Sequence, residues 1–305
     1  VVQKEQIVVA QYQIMNIIGT GLSGLIGSRI VELLQKDFSF EDLSLDTGVD
    51  ITDYPAVKNR LQASKADWVF HLAAYTDVQA AEDERCQGKE SLSWKINVDA
   101  TANIASICRK TGKRLLYIST DYVFDGTKDA YDEGDEPNPQ GWYAMTKWEG
   151  EKYVIPLSGG LVVRIANPYR ANPKGKRDFV HKMMDMLGSG KPLRAPVDQL
   201  FIPTFVDDIA GALNVLVSKN ASGIYHVVGG SALTPYEAAV TIARFLGYDA
   251  SLVSKTTFAE FMAGRAPFPQ RAVLKNDKIQ ALGVKMRGFE EGLRELARQE
   301  REARQ

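Results

Sequence analysis

IIGTGLSGLIGSRIVELLQ, residues 17–35, is the stretch that decides the fold. An apolar, strand-like run (IMNII, 14–18) leads into Gly21-x-x-Gly24-x-x-Gly27, and a helical pattern (LIGSRIVELLQ, 25–35) follows at once. A loop of this kind must turn tightly, let its own amides approach a pyrophosphate, and let the helix pack close to the strand. Glycine meets all three demands, and the N-terminus of a helix favours an anion. The spacing therefore points to dinucleotide binding through Gly21, Ser23, Gly24, Leu25, Ile26 and Gly27, the competing reading being a plain tight turn.

Outward from this loop the chain alternates. Strand-like runs recur at DLSLD (42–46), DWVFHLA (67–73), RLLYIS (114–119) and LVVRIA (161–166). Helical stretches separate them at 53–64, 96–110 and 144–154. Strands alternating with helices of this length predict βαβ units on a parallel sheet. After Arg164 the rhythm breaks into a Pro- and Lys-rich loop, NPYRANPKGKRD (167–178), and a short helix over 179–188. DDIAGALNVLV and GIYHVVG then return to the sheet, followed by a helix over 235–246. A charged terminal helix places Phe289, Leu293 and Leu296 on one face, and its end, RQEREARQ, reads as frayed. The expected organisation is α/β: a doubly wound parallel sheet over 12–166, rejoined by 206–228. A smaller α/β lobe is expected from 167–205 and 229–305. Residues 1–11 have no assigned role.

Composition narrows the function classes. The 305 residues are 45% hydrophobic and 25% charged, enough to bury a full core without metals or disulfides. Lys and Arg number 37 against 38 Asp and Glu, so the basic stripe needed to hold nucleic acid is not expected. No apolar run approaches the ~20 residues of a membrane helix. The start lacks the features of a signal peptide, and Cys86 and Cys108 lie far apart, which together predict a reducing, cytoplasmic setting. His71, His181 and His226 are scattered, so no metal site is expected.

Further positions carry chemistry. An acid at the end of the second strand accepts ribose hydroxyls, and Asp46 falls about 20 residues past the loop, favouring NAD over NADP. Asp50 and Ile51 open DITD, a segment whose resemblance to the short-chain dehydrogenase/reductase superfamily implies contact with the adenine, although Thr52 or Asp53 as N-cap with Pro55 explains the same residues as a helix start. Tyr143 and Lys147, four residues apart, share a helix face, and a cation beside a phenol makes it a usable acid near neutral pH. Thr120, at the end of YISTDYVFDG (117–126), would hydrogen-bond a substrate oxygen whose charge changes during hydride transfer.

STDYVFDG and PNPQGWYAMTK resemble the dTDP-4-dehydrorhamnose reductase branch of the extended short-chain dehydrogenase/reductases. The likeness continues through HLAAYTDVQAAE (71–82), INVDATANIA (96–105), DQLFIPTFVDDIA (198–210) and the late ALG. It implies a Rossmann domain with a small sugar-nucleotide lobe, and NAD(P)H delivering hydride to C4 of a 4-keto-6-deoxyhexose nucleotide. It implies a catalytic trio of Thr120, Tyr143 and Lys147, with Tyr143 and Lys147 also meeting the cofactor. Ala73, Ala74 and Tyr75 would line the nicotinamide side, and Asp121 would lie beside the sugar with Tyr75. His71 reads as a packed strand residue, and Trp142 as packing or a lid contact.

The departures fall on the substrate side. Asn167-Pro168-Tyr169 stands where the branch carries a Trp-Val-Tyr-Gly type segment, Phe201 where it carries glycine, and Phe268 where it carries arginine. Lys176 and Arg271 are the cations available for a substrate pyrophosphate. Three readings stand: a nucleotide-sugar reductase, an NAD-dependent epimerase or dehydratase, and a non-catalytic subunit resembling methionine adenosyltransferase β. A homodimer is a possible assembly.

Overall fold

The computed structural model describes residues 14–304, so residues 1–11 lie outside it. Its centre is a six-stranded parallel sheet of β1 (Met15–Thr20), β2 (Phe38–Asp42), β3 (Trp68–His71), β4 (Arg114–Thr120), β5 (Gly160–Ile165) and β9 (Gly223–His226), in the order β2-β1-β3-β4-β5-β9. Such a sheet is covered on both faces, so its strands read as nearly continuous apolar runs. Ile17 of β1 packs with Trp68, Phe70, Leu116 and Val163 on one face, over α1 (Gly27–Leu34) and α8 (Val206–Ser218). Ile18 packs with Val69, Leu115 and Val162 on the other, over α2 (Tyr54–Ala63) and α5 (Ala100–Thr111). This is the doubly wound Rossmann arrangement. Its strand order reverses beside β1, which opens the crevice in which such folds bind ligands.

The second strand differs from the expectation. It occupies Phe38–Asp42, not 42–46, because pairing with β1 (Met15 against Phe38, Gly19 against Asp42) places Phe40 against Phe70 and Phe38 against Phe40 in the same core. DLSLD alternates equally well by itself, but most of it forms the turn that leaves the strand. The helix expected over 96–110 is also interrupted. A short turn α4 (Leu92–Trp94) and a π-turn at Lys95–Asp99 precede α5.

A second apolar core lies beyond the sheet. It joins Tyr169, Val180, Phe201, Phe205, Ala239, Ile242, Leu293 and Leu296. Its elements are the strand pairs β6 (Pro168–Tyr169) with β8 (Thr204–Phe205) and β7 (Leu193–Pro196) with β10 (Val253–Thr256), and the helices α7 (Phe179–Gly188), α9 (Pro235–Leu246) and α12 (Phe289–Glu302). Residues 206–228 return to the sheet as α8 and β9. Ile279, Val284 and Met286 also pack on the sheet side, so the late chain serves both cores. The expected frayed end is helical through Glu302, where Arg298 bridges Glu295 and Glu302. Among the described residues no helix is long and apolar enough to cross a membrane, and no group of three or more His, Cys, Asp or Glu is placed to hold a metal.

Candidate active site

The turn after β1 is shaped by glycine. Gly21 has φ +68°, and a Cβ there would lie 2.6 Å from the Ala73 amide nitrogen. A Cβ on Gly27 would drive into the Gly21 carbonyl oxygen, so α1 can approach β1 this closely only without a side chain. No side chain caps α1, whose first position follows Ile26. The Ser28 and Arg29 amides are taken by the Gly24 and Ile26 carbonyls, and the loop before them opens on a cavity of about 590 Å³ lined by Gly21, Ser23, Gly24, Leu25, Ile26 and Gly27. A cradle that side chains would fill, at an uncapped helix N-terminus, fits a dinucleotide pyrophosphate.

The acid expected at the strand end is misplaced by the same shift that moved β2. Asp46 lies exposed in the single turn Leu45–Thr47, beyond the strand, and does not line the cavity. The residue at the tip of β2 is Asp42. One of its oxygens accepts the Ser44 hydroxyl at 2.7 Å, while the other is buried without a partner. Asp42 pairs with Gly19 near the end of β1 and, like Asp46, is not on the cavity wall; its partnerless oxygen is an acceptor of the kind that ribose hydroxyls satisfy. Asp50 is exposed and accepts the Thr52 amide and hydroxyl, both at 2.8 Å. Asp53 caps α2 by accepting the Ala56 amide, and Ile51 packs on that helix's core. The helix-start reading therefore describes what these residues do in the structure.

Thr120, Asp121, Tyr143 and Lys147 converge on the same cavity, together with Ala73, Ala74, Asn167 and Lys176. β4 delivers Thr120 at its last residue, and α6 (Trp142–Val154) presents Tyr143 and Lys147 one turn apart. Burial pushes the Tyr143 phenol well above its usual value, the Asp121 charge adds to this, and a hydrogen bond with Thr120 opposes it. Burial pulls the Lys147 ammonium down to about 7, against the attraction of Glu151. Burial also pushes Asp121 up to about 7, although Thr120 donates to its Oδ1 at 3.0 Å; its Oδ2 has no partner.

The remaining expected residues separate into two groups. Tyr75 is held away from the cavity wall, its amide donating to Asn97 and its hydroxyl to Glu84. Arg271 also lies off the wall, paired at the surface with Asp129 at 3.0 Å. Lys176 does line the cavity, its Nζ donating to the Thr76 hydroxyl at 3.2 Å. His71 is packed as expected. It joins Thr20 and Thr101 at 2.7 and 3.0 Å, and burial takes its ring down to about 3. Trp142 is packing, stacked on Trp94 and donating to Ser91.

Sequence reasoning missed part of the wall. Tyr122, Arg177 and Phe179 line the cavity, as do Ser119, Thr76 and Val78. Tyr122 stands inside the quoted STDYVFDG and could have been found there. Its importance comes from a partner distant in sequence: Phe268 stacks on it at 5.4 Å, nearly parallel, and Phe258 closes edge-on behind at 5.6 Å. Phe201 packs edge-on against the lining Phe179 at 5.3 Å, and Asn167 takes φ +40° at the wall.

The family described as RmlD substrate binding domain matches residues 15–302. The probable low-salt glycan biosynthesis reductase Agl14 of Haloferax volcanii is 30% identical over 91% of this chain and 95% of its own. A dTDP-4-dehydrorhamnose reductase of Mycobacterium tuberculosis is 32% identical over 79% of each chain. The crystal structure of dTDP-4-dehydrorhamnose reductase from Bacillus anthracis in complex with NADP superposes with a TM-score of 0.85 at 28% identity, covering 94% of this chain and all of that one. The glycine cradle, the trio on its far side and the match across nearly every described residue place this chain in the RmlD substrate binding domain family.

Proposed function

We propose that the protein reduces the C4 ketone of a nucleotide-linked 4-keto-6-deoxy sugar, as an NAD(P)-dependent oxidoreductase of the extended short-chain type. The observation that carries this reading is the convergence of Thr120, Tyr143 and Lys147 on the cavity that the glycine loop opens. The nicotinamide cofactor supplies the hydride when bound. This chain's own residues handle the oxygen: the Tyr143 hydroxyl donates its proton to the carbonyl oxygen, and the Thr120 hydroxyl donates a hydrogen bond to the same atom. A phenol held high by burial remains protonated at neutral pH, which suits donation in the reductive direction. Charged Lys147 then lowers the barrier to losing that proton.

Lys176, which no carboxylate engages among the described residues, is a cation at the cavity that can meet a substrate diphosphate, whereas the neighbouring Arg177 is paired with Asp185. Asp42 takes the adenosine ribose, and its charge disfavours a 2′-phosphate, so NADH is the better donor. Asp42→Ala is expected to raise the NADPH-to-NADH ratio of kcat/KM by about tenfold, on the order of one lost charge repulsion.

The deciding experiment is stoichiometric. Purified protein is given dTDP-4-keto-6-deoxyhexose with NADH or NADPH, and oxidised cofactor and reduced sugar are counted. One cofactor oxidised per sugar supports the reading. Tightly held NAD with sugar conversion but no net oxidation would replace it with an epimerase or dehydratase. Absence of turnover with either donor would leave a binding subunit.

A further inference from the structure

Lys147 places its ammonium where little supports a charge. It is 2% exposed, and among the described residues no carboxylate stands within ion-pair distance of its Nζ. The nearest acid on its helix, Glu151, is already held by Arg164, which donates from Nε at 3.0 Å and from Nη2 at 2.7 Å. Beneath the ammonium lies the face of Tyr117, its ring centre 4.0 Å from Nζ. The hydroxyl of that same tyrosine donates to the Lys147 carbonyl oxygen at 3.3 Å.

We propose that Tyr117 is a positioning residue for Lys147, its ring face carrying the ammonium while its hydroxyl fixes the backbone of the same residue. The proposal rests on the reading of Lys147 as part of the proton-transfer pair. The ring cannot move aside. Tyr117 is fully buried in β4 and lies against the His71 ring at 5.5 Å. Above it α6 passes so closely that a Cβ on Gly150 would lie 2.5 Å from the Tyr117 hydroxyl oxygen. A cation over an aromatic face is attracted by the ring quadrupole, and more strongly where water is excluded. The buried or cavity-lining charged or titratable groups around it include Tyr143 and Glu151 on α6, His71 on β3, Cys108 on α5, Arg164 on β5 with His226 of β9 behind it, and Asp121 and Tyr122 after β4, while Glu149, Lys152 and Tyr153 of α6 lie towards solvent. His71 is kept neutral by burial, and Glu151 attracts the ammonium while being held in its own ion pair by Arg164, which leaves the Tyr117 face as the support lying directly against the charge.

The test compares Tyr117→Phe, Tyr117→Leu and Lys147→Met, reading both the pH dependence of kcat and that of NADH binding by nucleotide fluorescence. Lys147→Met tests the underlying reading and is expected to lose at least about 100-fold in kcat at every pH. Tyr117→Phe keeps a ring face and should leave the alkaline limb in place. Tyr117→Leu removes it, disfavours the charged ammonium, and should move that limb about one pH unit lower in both measurements. Fluorinated phenylalanines at position 117 keep the shape of the ring while draining its face, and should lower the limb stepwise with each fluorine. An unmoved limb in the leucine protein or across the fluorinated series would overturn the proposal. If Lys147→Met keeps its turnover, the catalytic reading falls, and the NADH-binding limb still decides whether Tyr117 holds the lysine.

Discussion

The two sides of the cavity are built differently. On the cofactor side the wall is mostly backbone: glycines 21, 24 and 27, the uncapped start of α1, and the turn at Ala73. On the substrate side it is mostly side chains brought from separate segments: Tyr122 backed by Phe268 and Phe258, Phe179 backed by Phe201, and Lys176 from the loop between the lobes. A backbone cradle tolerates little variation, since any side chain fills it. A side-chain wall can be rewritten residue by residue with the chemistry next to it unchanged. All three departures from the branch fall on or behind this second wall.

Tyr143 sits where the two walls meet, so its loss tests whether both serve one reaction. Tyr143→Phe is expected to lower kcat by about 10²–10⁴-fold, with NADH affinity within a few-fold of the parent. Steady-state rates and fluorescence titration measure the two numbers. Retained turnover would detach the cofactor wall from the proposed chemistry.

Legibility in the sequence follows the same division. The glycine loop, the Tyr143–Lys147 spacing and Thr120 are local patterns, and local patterns survive folding. Asp46 failed because a strand's register is set by its partner. Phe38 and Phe40 win the pairing with β1 because Phe40 packs on Phe70 and Phe38 on Phe40, and no inspection of DLSLD reveals that. Tyr122 stands inside STDYVFDG, but its neighbour Phe268 lies far along the chain and the contact exists only after folding. Arg271, a free cation by its sequence, is paired with Asp129 by the fold.

The cofactor side also depends on a buried ion pair beneath α6. Glu151 and Arg164 are both almost fully buried, so removing one charge strands the other. Glu151→Gln is expected to cost about 3–5 kcal/mol of unfolding free energy, measured by urea denaturation. A loss under 1 kcal/mol would show that water or another anion reaches Arg164.

The substrate side has its own ionic brace, and this one titrates. His181 on α7 meets Asp178 at 2.9 Å and Glu300 of α12 at 2.8 Å. Burial lowers its basicity, but the bonds to the two carboxylates outweigh it and raise the imidazole to about 9. A folded value above the unfolded one stabilises the fold fully below about pH 6.5, and the benefit fades as pH rises through about 9. The wild type should therefore exceed His181→Gln by roughly 3 kcal/mol at pH 6, and by little at pH 9.5. A gap independent of pH would mean that the histidine only packs.

The smallest effect separates the walls most cleanly. Phe268 does not line the cavity; it holds Tyr122, which does, and Tyr122 in turn meets Tyr143 edge-on at 6.4 Å. Stacked and edge-on aromatic pairs contribute about 0.5–1.5 kcal/mol beyond the area they bury. Phe268→Ala should therefore raise the KM for the sugar nucleotide about three- to tenfold, with kcat and NADH affinity nearly unchanged. Phe268→Tyr should restore the parent KM, because it keeps the ring that supports Tyr122. A fall in kcat equal to the rise in KM would place Phe268 in the chemistry itself and erase the boundary between the two walls. An unchanged KM would mean that Tyr122 keeps its orientation without the stack, and that the sugar is sorted at Asn167 and Phe179 instead.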